Sequence, residues 1–110
     1  MEKTLYGFEY NKKLCTDKKL RWTNHIFLRL VQRNISMQDV QEAILSGEII
    51  EEYMDDYPFP SCLILGYRNG TNALHVVCAP NDEATELWLI TAYVPNMEKW
   101  MPDYKTRKET

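Results

Sequence analysis

A chain of 110 residues, 45% hydrophobic and 26% charged, has the size and make-up of one folded domain and is too short for two ordinary ones. No apolar run approaches the ~20 residues that cross a bilayer, and "MEKTLYGFEYNKK" lacks the apolar core of a signal peptide, so a cytoplasmic protein with no membrane partner is expected. The formal charge of -3 hides a segregation: residues 12–33 hold seven Lys/Arg against Asp17, and residues 39–56 hold seven carboxylates and no Lys or Arg. Such blocks create a local basic surface on an acidic protein, or lie near each other as solvated faces.

Residues 1–20 mix polar and aromatic side chains without a clean period and read as a lead-in to a domain over 21–108. The first helix starts at Thr23, a good N-cap, and stops at Asn34, which tolerates the left-handed backbone that closes helices. Its stretch "TNHIFLRLVQRNIS" places His25, Arg29 and Arg33 at steps of four, within an arc of about 100°, while Ile26, Phe27, Leu28, Leu30 and Val31 fill the rest. The pattern reads as a narrow cationic stripe on a buried helix. Ser36 caps a second helix, with Asp39 placed for a capping box, Met37, Val40 and Ile44 as its apolar stripe, and Gly47 as its end.

From Glu48 the period falls from 3.6 to 2, and four strands follow over 48–53, 62–68, 73–79 and 86–94. Asn69-Gly70 marks a tight hairpin between the second and third. The expected fold is α+β, two helices packed on a four-stranded, mainly antiparallel meander. Pairing Arg68 with Ala73 would set Gly66 opposite His75 and put Leu63, Leu65, Tyr67, Leu74, Val76 and Cys78 on one core face. Tyr93 would join the face of His75 if it or Thr91 lay opposite that residue. Cys15, Cys62 and Cys78 form no C-x-x-C pair, and the two histidines stand far apart, so neither a metal site, a disulfide framework nor a cofactor is expected. Cys62 and Cys78, inside apolar runs, read as small buried hydrophobes.

Several blocks then carry a family resemblance: H-x3-R-x3-R-x-I-S (His25 to Ser36), D-V (Asp39, Val40), G-E-I-I-E-x-Y (Gly47 to Tyr53), P-S-C-L-I-L-G (Pro60 to Gly66), L-H-V-V (Leu74 to Val77) and I-T-A-Y-x-P (Ile90 to Pro95), followed by Trp100. Over roughly residues 21–108 the chain resembles a bacterial family known as a domain of unknown function. That family is similar in its helix-then-sheet order to small toxins of the RelE, BrnT and MqsR type. The resemblance implies a RelE-like fold, metal-independent ribonuclease activity, RNA as substrate, and a zinc-finger antitoxin-like partner of the YgiT or MqsA kind. Asn34 departs from the glycine usual in the family, and the net charge from the basic character of many ribonuclease toxins.

Such an enzyme must deprotonate a ribose 2'-OH, stabilise charge on phosphate and protonate the leaving oxygen. The expected proton-transfer groups are His25, His75 and Tyr93; the expected phosphate contacts are Arg29, Arg33 and Arg68, with Lys105 and Arg107 of the tail. The carboxylates Glu51, Glu52, Asp55 and Asp56 are expected to meet a basic partner. Each residue also has a plainer reading: His25 as a first-turn residue, His75 as a hydrogen-bonded core histidine, Arg29 and Arg33 as partners of those carboxylates, Tyr93 and Trp100 as packing groups. A non-catalytic interaction module, or a degenerate toxin that keeps only its partner interface, is the alternative function.

Overall fold

A computed structural model describes residues 7–109 of the chain. Local sequence signals act where they stand. The helix α2 (Asn24–Arg33) starts at Thr23, whose hydroxyl accepts from the Ile26 amide, and closes on Asn34 at φ 56°. The helix α3 (Met37–Ser46) follows a complete capping box: Ser36 and Asp39 exchange two side-chain-to-backbone bonds of 2.9 Å, satisfying two amides that the helix leaves unpaired. Asn69 and Gly70, at φ 55° and 78°, make the tight turn between β3 (Ser61–Arg68) and β4 (Asn72–Pro80).

Strands β2 (Glu48–Tyr53), β3, β4 and β5 (Leu87–Tyr93) form the expected antiparallel meander, but the sheet has a fifth member. Strand β1 (Leu20–Trp22) pairs in parallel with β5, Leu20 beside Leu87, giving a mixed sheet in the order β1-β5-β4-β3-β2. Three residues are too few to show a period, and their partner lies at the far end of the chain. Residues before Leu20 also pack against the domain. Phe8–Tyr10 form a 3-10 turn and Asn11–Thr16 a short helix, α1, and Phe8, Leu14 and Cys15 belong to the same buried cluster as α2 and α3. The first six residues of that lead-in lie outside the described residues.

The β3–β4 register is one residue from the expected one: Arg68 pairs with Asn72, Gly66 with Leu74 and Leu65 with His75. Residues opposite one another share a face, so Cys62, Ile64, Leu74, Val76 and Cys78 point to the helices. Leu63, Leu65, Tyr67 and His75 point away from them. Gly66 therefore opens no space above His75; it faces α3, where a Cβ would collide with the Ala43 carbonyl. All three cysteines are free and buried, and the Cys62 and Cys78 sulfurs lie 4.0 Å apart across the ladder. A further departure concerns α2, which is not a buried helix. Ile26 and Leu30 enter the core, whereas Phe27, Leu28 and Val31 are 41%, 58% and 79% exposed, because α2 lies along β5 near the sheet's margin and buries a single line of side chains. Among the described residues no helix is long and apolar enough to cross a membrane.

Candidate functional site

The polar residues that converge do so on the face of the sheet turned away from the helices. His75 sits mid-strand in β4, fully buried, directly opposite Tyr93 of β5. Tyr93 reaches this face because β5 bulges at Ile90: Val77 pairs with Thr91 and Cys78 with Leu89, so a residue is gained between them. The imidazole meets the Tyr93 ring edge-on at 5.3 Å and the Trp100 ring edge-on at 4.6 Å. Its Nε2 lies 2.8 Å from the Tyr104 carbonyl oxygen, and Nδ1 is buried without a partner. A carbonyl can only accept, so Nε2 carries the proton and Nδ1 presents a bare lone pair. Burial, partly offset by the Tyr104 carbonyl and Glu51, holds the imidazole below its ordinary pKa and keeps it neutral near pH 7.

Charged groups flank this pair on both sides. Arg107 grips Glu51 of β2 through two bonds, Nε to Oε2 at 2.8 Å and Nη2 to Oε1 at 3.0 Å, and lies over the Trp100 ring at 4.5 Å. Tyr53, two residues along from Glu51 and hence on the same face, donates its hydroxyl to Glu51 Oε1 at 2.6 Å. The Arg107 guanidinium draws the Glu51 carboxyl below its usual range, and burial with the neighbouring carboxylate pushes the Tyr53 phenol up to about 12. On the other side Arg33, from the last turn of α2, donates Nη1 to the Ala92 carbonyl at 2.8 Å and to Thr91 Oγ1 at 3.2 Å. Among the described residues no strand pairs with the β5 edge beyond Trp22, and Arg33 satisfies carbonyl and hydroxyl there. Burial raises the Tyr93 phenol above its ordinary pKa, with Arg107 and Arg33 acting against it, so Tyr93 keeps its proton.

The structure thus brings together His75, Tyr93, Arg33 and Arg107, and leaves the other candidate residues elsewhere. His25 is exposed in the first turn of α2, which packs on the helix side of the sheet, while the His75 ring points out of the opposite side. The two histidines therefore do not share a site. Arg29 is half-buried on α2, one turn from Arg33. Arg68 is committed to Asp39 at 3.0 Å and to the Asn34 carbonyl at 3.1 Å, locking the α2–α3 corner to β3. Lys105 pairs with Glu48 at 2.9 Å. Of the four expected partner carboxylates, Glu51 is held by Arg107 and Asp56 accepts from Ser61 at 2.6 Å, while Glu52 and Asp55 are exposed. The pairing of Arg29 or Arg33 with these carboxylates is not seen; Arg33 turns to β5 instead.

Sequence reasoning missed Tyr53 and Tyr104 and gave Trp100 only a docking role. The spacing of Glu51 and Tyr53 signals a shared strand face, but nothing in the sequence joins Arg107 to Glu51 or Tyr104 to His75, which meet only after the tail folds back.

A buried histidine and a half-buried tyrosine between two arginines, on the far face of a mixed α+β sheet, define a domain with a compact polar centre. The chain belongs to the family described as Domain of unknown function (DUF4258), whose sequence profile matches residues 22–94. No curated protein and no solved structure matches the chain.

Proposed function

We propose that this protein is the toxin of a bacterial toxin-antitoxin pair, with a RelE-like fold, and cleaves RNA without a metal through His75 and Tyr93. The observation that carries the reading is the buried, unpartnered Nδ1 of His75, which stands opposite Tyr93. A neutral imidazole with a bare, buried Nδ1 beside a protonated phenol supplies a base and an acid at one place. In the proposed step Nδ1 takes the proton of a ribose 2'-OH and the 2'-oxygen bonds to the adjacent phosphorus. The bond to the 5'-oxygen breaks as that oxygen takes the Tyr93 proton. The imidazolium then returns its proton to the phenolate, so the site ends as it began. Arg33 and Arg107 carry the phosphate charge, and the α2 stripe of Arg29 and His25 extends the path for the RNA backbone away from Arg33. Lys105 adds a further contact, and Arg68, committed to Asp39, stays structural.

The antitoxin-like partner, a zinc-finger protein by the family resemblance, is proposed to meet the exposed Glu52 and Asp55 beside β2, the end strand of the sheet. The alternative, an interaction module without chemistry, draws on the outward Leu28 and Val31 of α2, which the fold leaves uncovered.

The test is cleavage of a single-stranded oligoribonucleotide in excess chelator. The purified protein should yield products ending in a 2',3'-cyclic phosphate. His75→Asn and Tyr93→Phe should each lower the rate by about a hundredfold or more, the scale of losing a proton-transfer group. Activity retained in both variants would refute the mechanism, and inactivity of the parent would favour the interaction module.

A further inference from the structure

The same tail that completes the polar centre also closes it. Residues 99–108 form a hairpin on their own: the Met101 amide donates to the Thr106 carbonyl and the Lys108 amide to the Lys99 carbonyl, both at 2.8 Å, and the Tyr104 amide donates to Met101 at 2.9 Å. The Asp103 carboxylate tightens its tip, accepting from the Lys105 amide and from the Thr106 amide and hydroxyl at 2.9 to 3.0 Å. This unit lies beyond the residues matched by the family profile. What ties it to the sheet is side-chain chemistry: the Trp100 ring, 2% exposed, the His75 bond to the Tyr104 carbonyl, and the ion pairs Lys105–Glu48 and Arg107–Glu51. A segment that folds on itself and docks by side chains separates as one body without breaking a strand ladder.

The two ion pairs differ in shielding. The side chains of Lys105 and Glu48 are 47% and 57% exposed, and that of Arg107 is 56% exposed over a Glu51 that is 23% exposed. The Lys105 pair contributes little, and the bidentate Arg107 pair, stronger but open on its guanidinium side, is partly screened by salt. A phosphate backbone offers the same cations many anions at once and gains from the counterions it releases.

From this geometry we infer that residues 99–108 are a strap that shuts His75 away from substrate, and that an RNA backbone opens it by drawing Lys105 and Arg107 off Glu48 and Glu51; the lifted strap frees Nε2 from the Tyr104 carbonyl, and the neutral ring, which Tyr93 still adjoins, keeps one bare nitrogen as the base. The inference rests on the ribonuclease reading for the identity of the opener. It accounts for a base that is fully buried in the resting protein and for carboxylates placed where a substrate phosphate would be repelled. The strap occupies those carboxylates and keeps the resting enzyme closed.

The experiment compares the parent, the Glu48→Gln/Glu51→Gln double variant and Trp100→Ala. Each is treated with diethyl pyrocarbonate and analysed by peptide mass spectrometry, with far-UV dichroism and melting as a check on folding. His25, exposed in all three, is the internal standard. The His75-to-His25 modification ratio should rise by roughly five- to tenfold in the double variant, as expected for loss of two partly screened ion pairs, and further in Trp100→Ala. The rate of oligoribonucleotide cleavage should rise in the double variant in proportion to that ratio. An unchanged ratio in a folded double variant overturns the strap. A raised ratio with an unchanged rate, when the parent cleaves, overturns its role as a gate. A raised ratio with no cleavage by any form removes RNA as the opener and defeats the ribonuclease reading, while leaving the detachment of the strap demonstrated. Should Trp100→Ala not fold, the double variant decides alone.

Discussion

The two faces of the sheet are built from alternate residues of the same strands, yet they are different materials. On the helix side Ile64, Leu74, Val76, Leu87 and Leu89 meet Ile26, Leu30, Val40 and Ile44, with the buried amide of Asn11 donating to Cys62 at 3.3 Å, and α3 comes so close that Gly66 has no room for a side chain. On the other side Leu63 and Leu65 adjoin His75, Tyr93, Glu51 and Tyr53, and the cover is a hairpin docked by one indole, the Tyr104 carbonyl and two ion pairs. The lesson is a division of labour along a period of two. One face, packed by helices that the chain cannot release without unfolding, holds the fold; the other, under a detachable cover, is where a polar centre is tolerated.

The sharpest way to break this contrast is at Gly66. Gly66→Val drives a branched side chain into the Ala43 backbone, which cannot step aside without moving α3, and should destabilise the domain by at least about 3 kcal/mol in urea unfolding. A small effect would show that the helix face is not the tight one.

An intermediate effect should come from acid, and it should belong to the other face. His75 is held below its ordinary pKa, so the unfolded chain binds its proton first. That contribution is complete above the unfolded imidazole value of about 6.5 and is lost as pH falls through the lower folded value. Glu51 is likewise depressed by Arg107, and its contribution is complete above about 4.3 and lost further into acid. Urea titrations at pH 7.5, 5.5 and 4 should therefore show falling stability in two stages, with His75→Asn removing the first and Glu51→Gln reducing the second, which it shares with Asp39, held low against burial by its bonds to Ser36 and Arg68. A curve unchanged by either variant would deny that the polar face carries the acid sensitivity.

The smallest effect should be at the outer side of α2. Val31→Ser, at a position 79% exposed, should change stability by less than about 0.5 kcal/mol. A larger loss would mean that this surface is covered in solution, which size-exclusion chromatography of parent and variant would reveal.

Much of the local structure was legible because its causes are local. Thr23, Asn34, Ser36 with Asp39, and Asn69-Gly70 each act on backbone groups within a few residues, and the helices and hairpin stand where those signals put them. The strand β1 was not legible, since three residues carry no period and gain their meaning from Leu87 and Leu89. Nor was the β3–β4 register, where a slip of one residue exchanges the two faces and both alternatives bury apolar side chains. The candidate site divides in the same way. The stripe of His25, Arg29 and Arg33 is a property of helical spacing, and the sequence determined it by itself.

Which of those residues reaches the polar centre was decided by where α2 lies on the sheet: Arg33 arrives at β5, and His25 stays on the opposite side from His75. His75 and Tyr93 meet because of one extra residue in β5, and Arg107 meets Glu51 across 56 residues of chain. The sequence by itself thus determined the elements, their caps and the chemistry available, because these depend on neighbours in the chain. The tertiary structure alone decided which polar groups meet and what covers them, because strand register, a bulge and the docking of a tail are set by packing between distant residues.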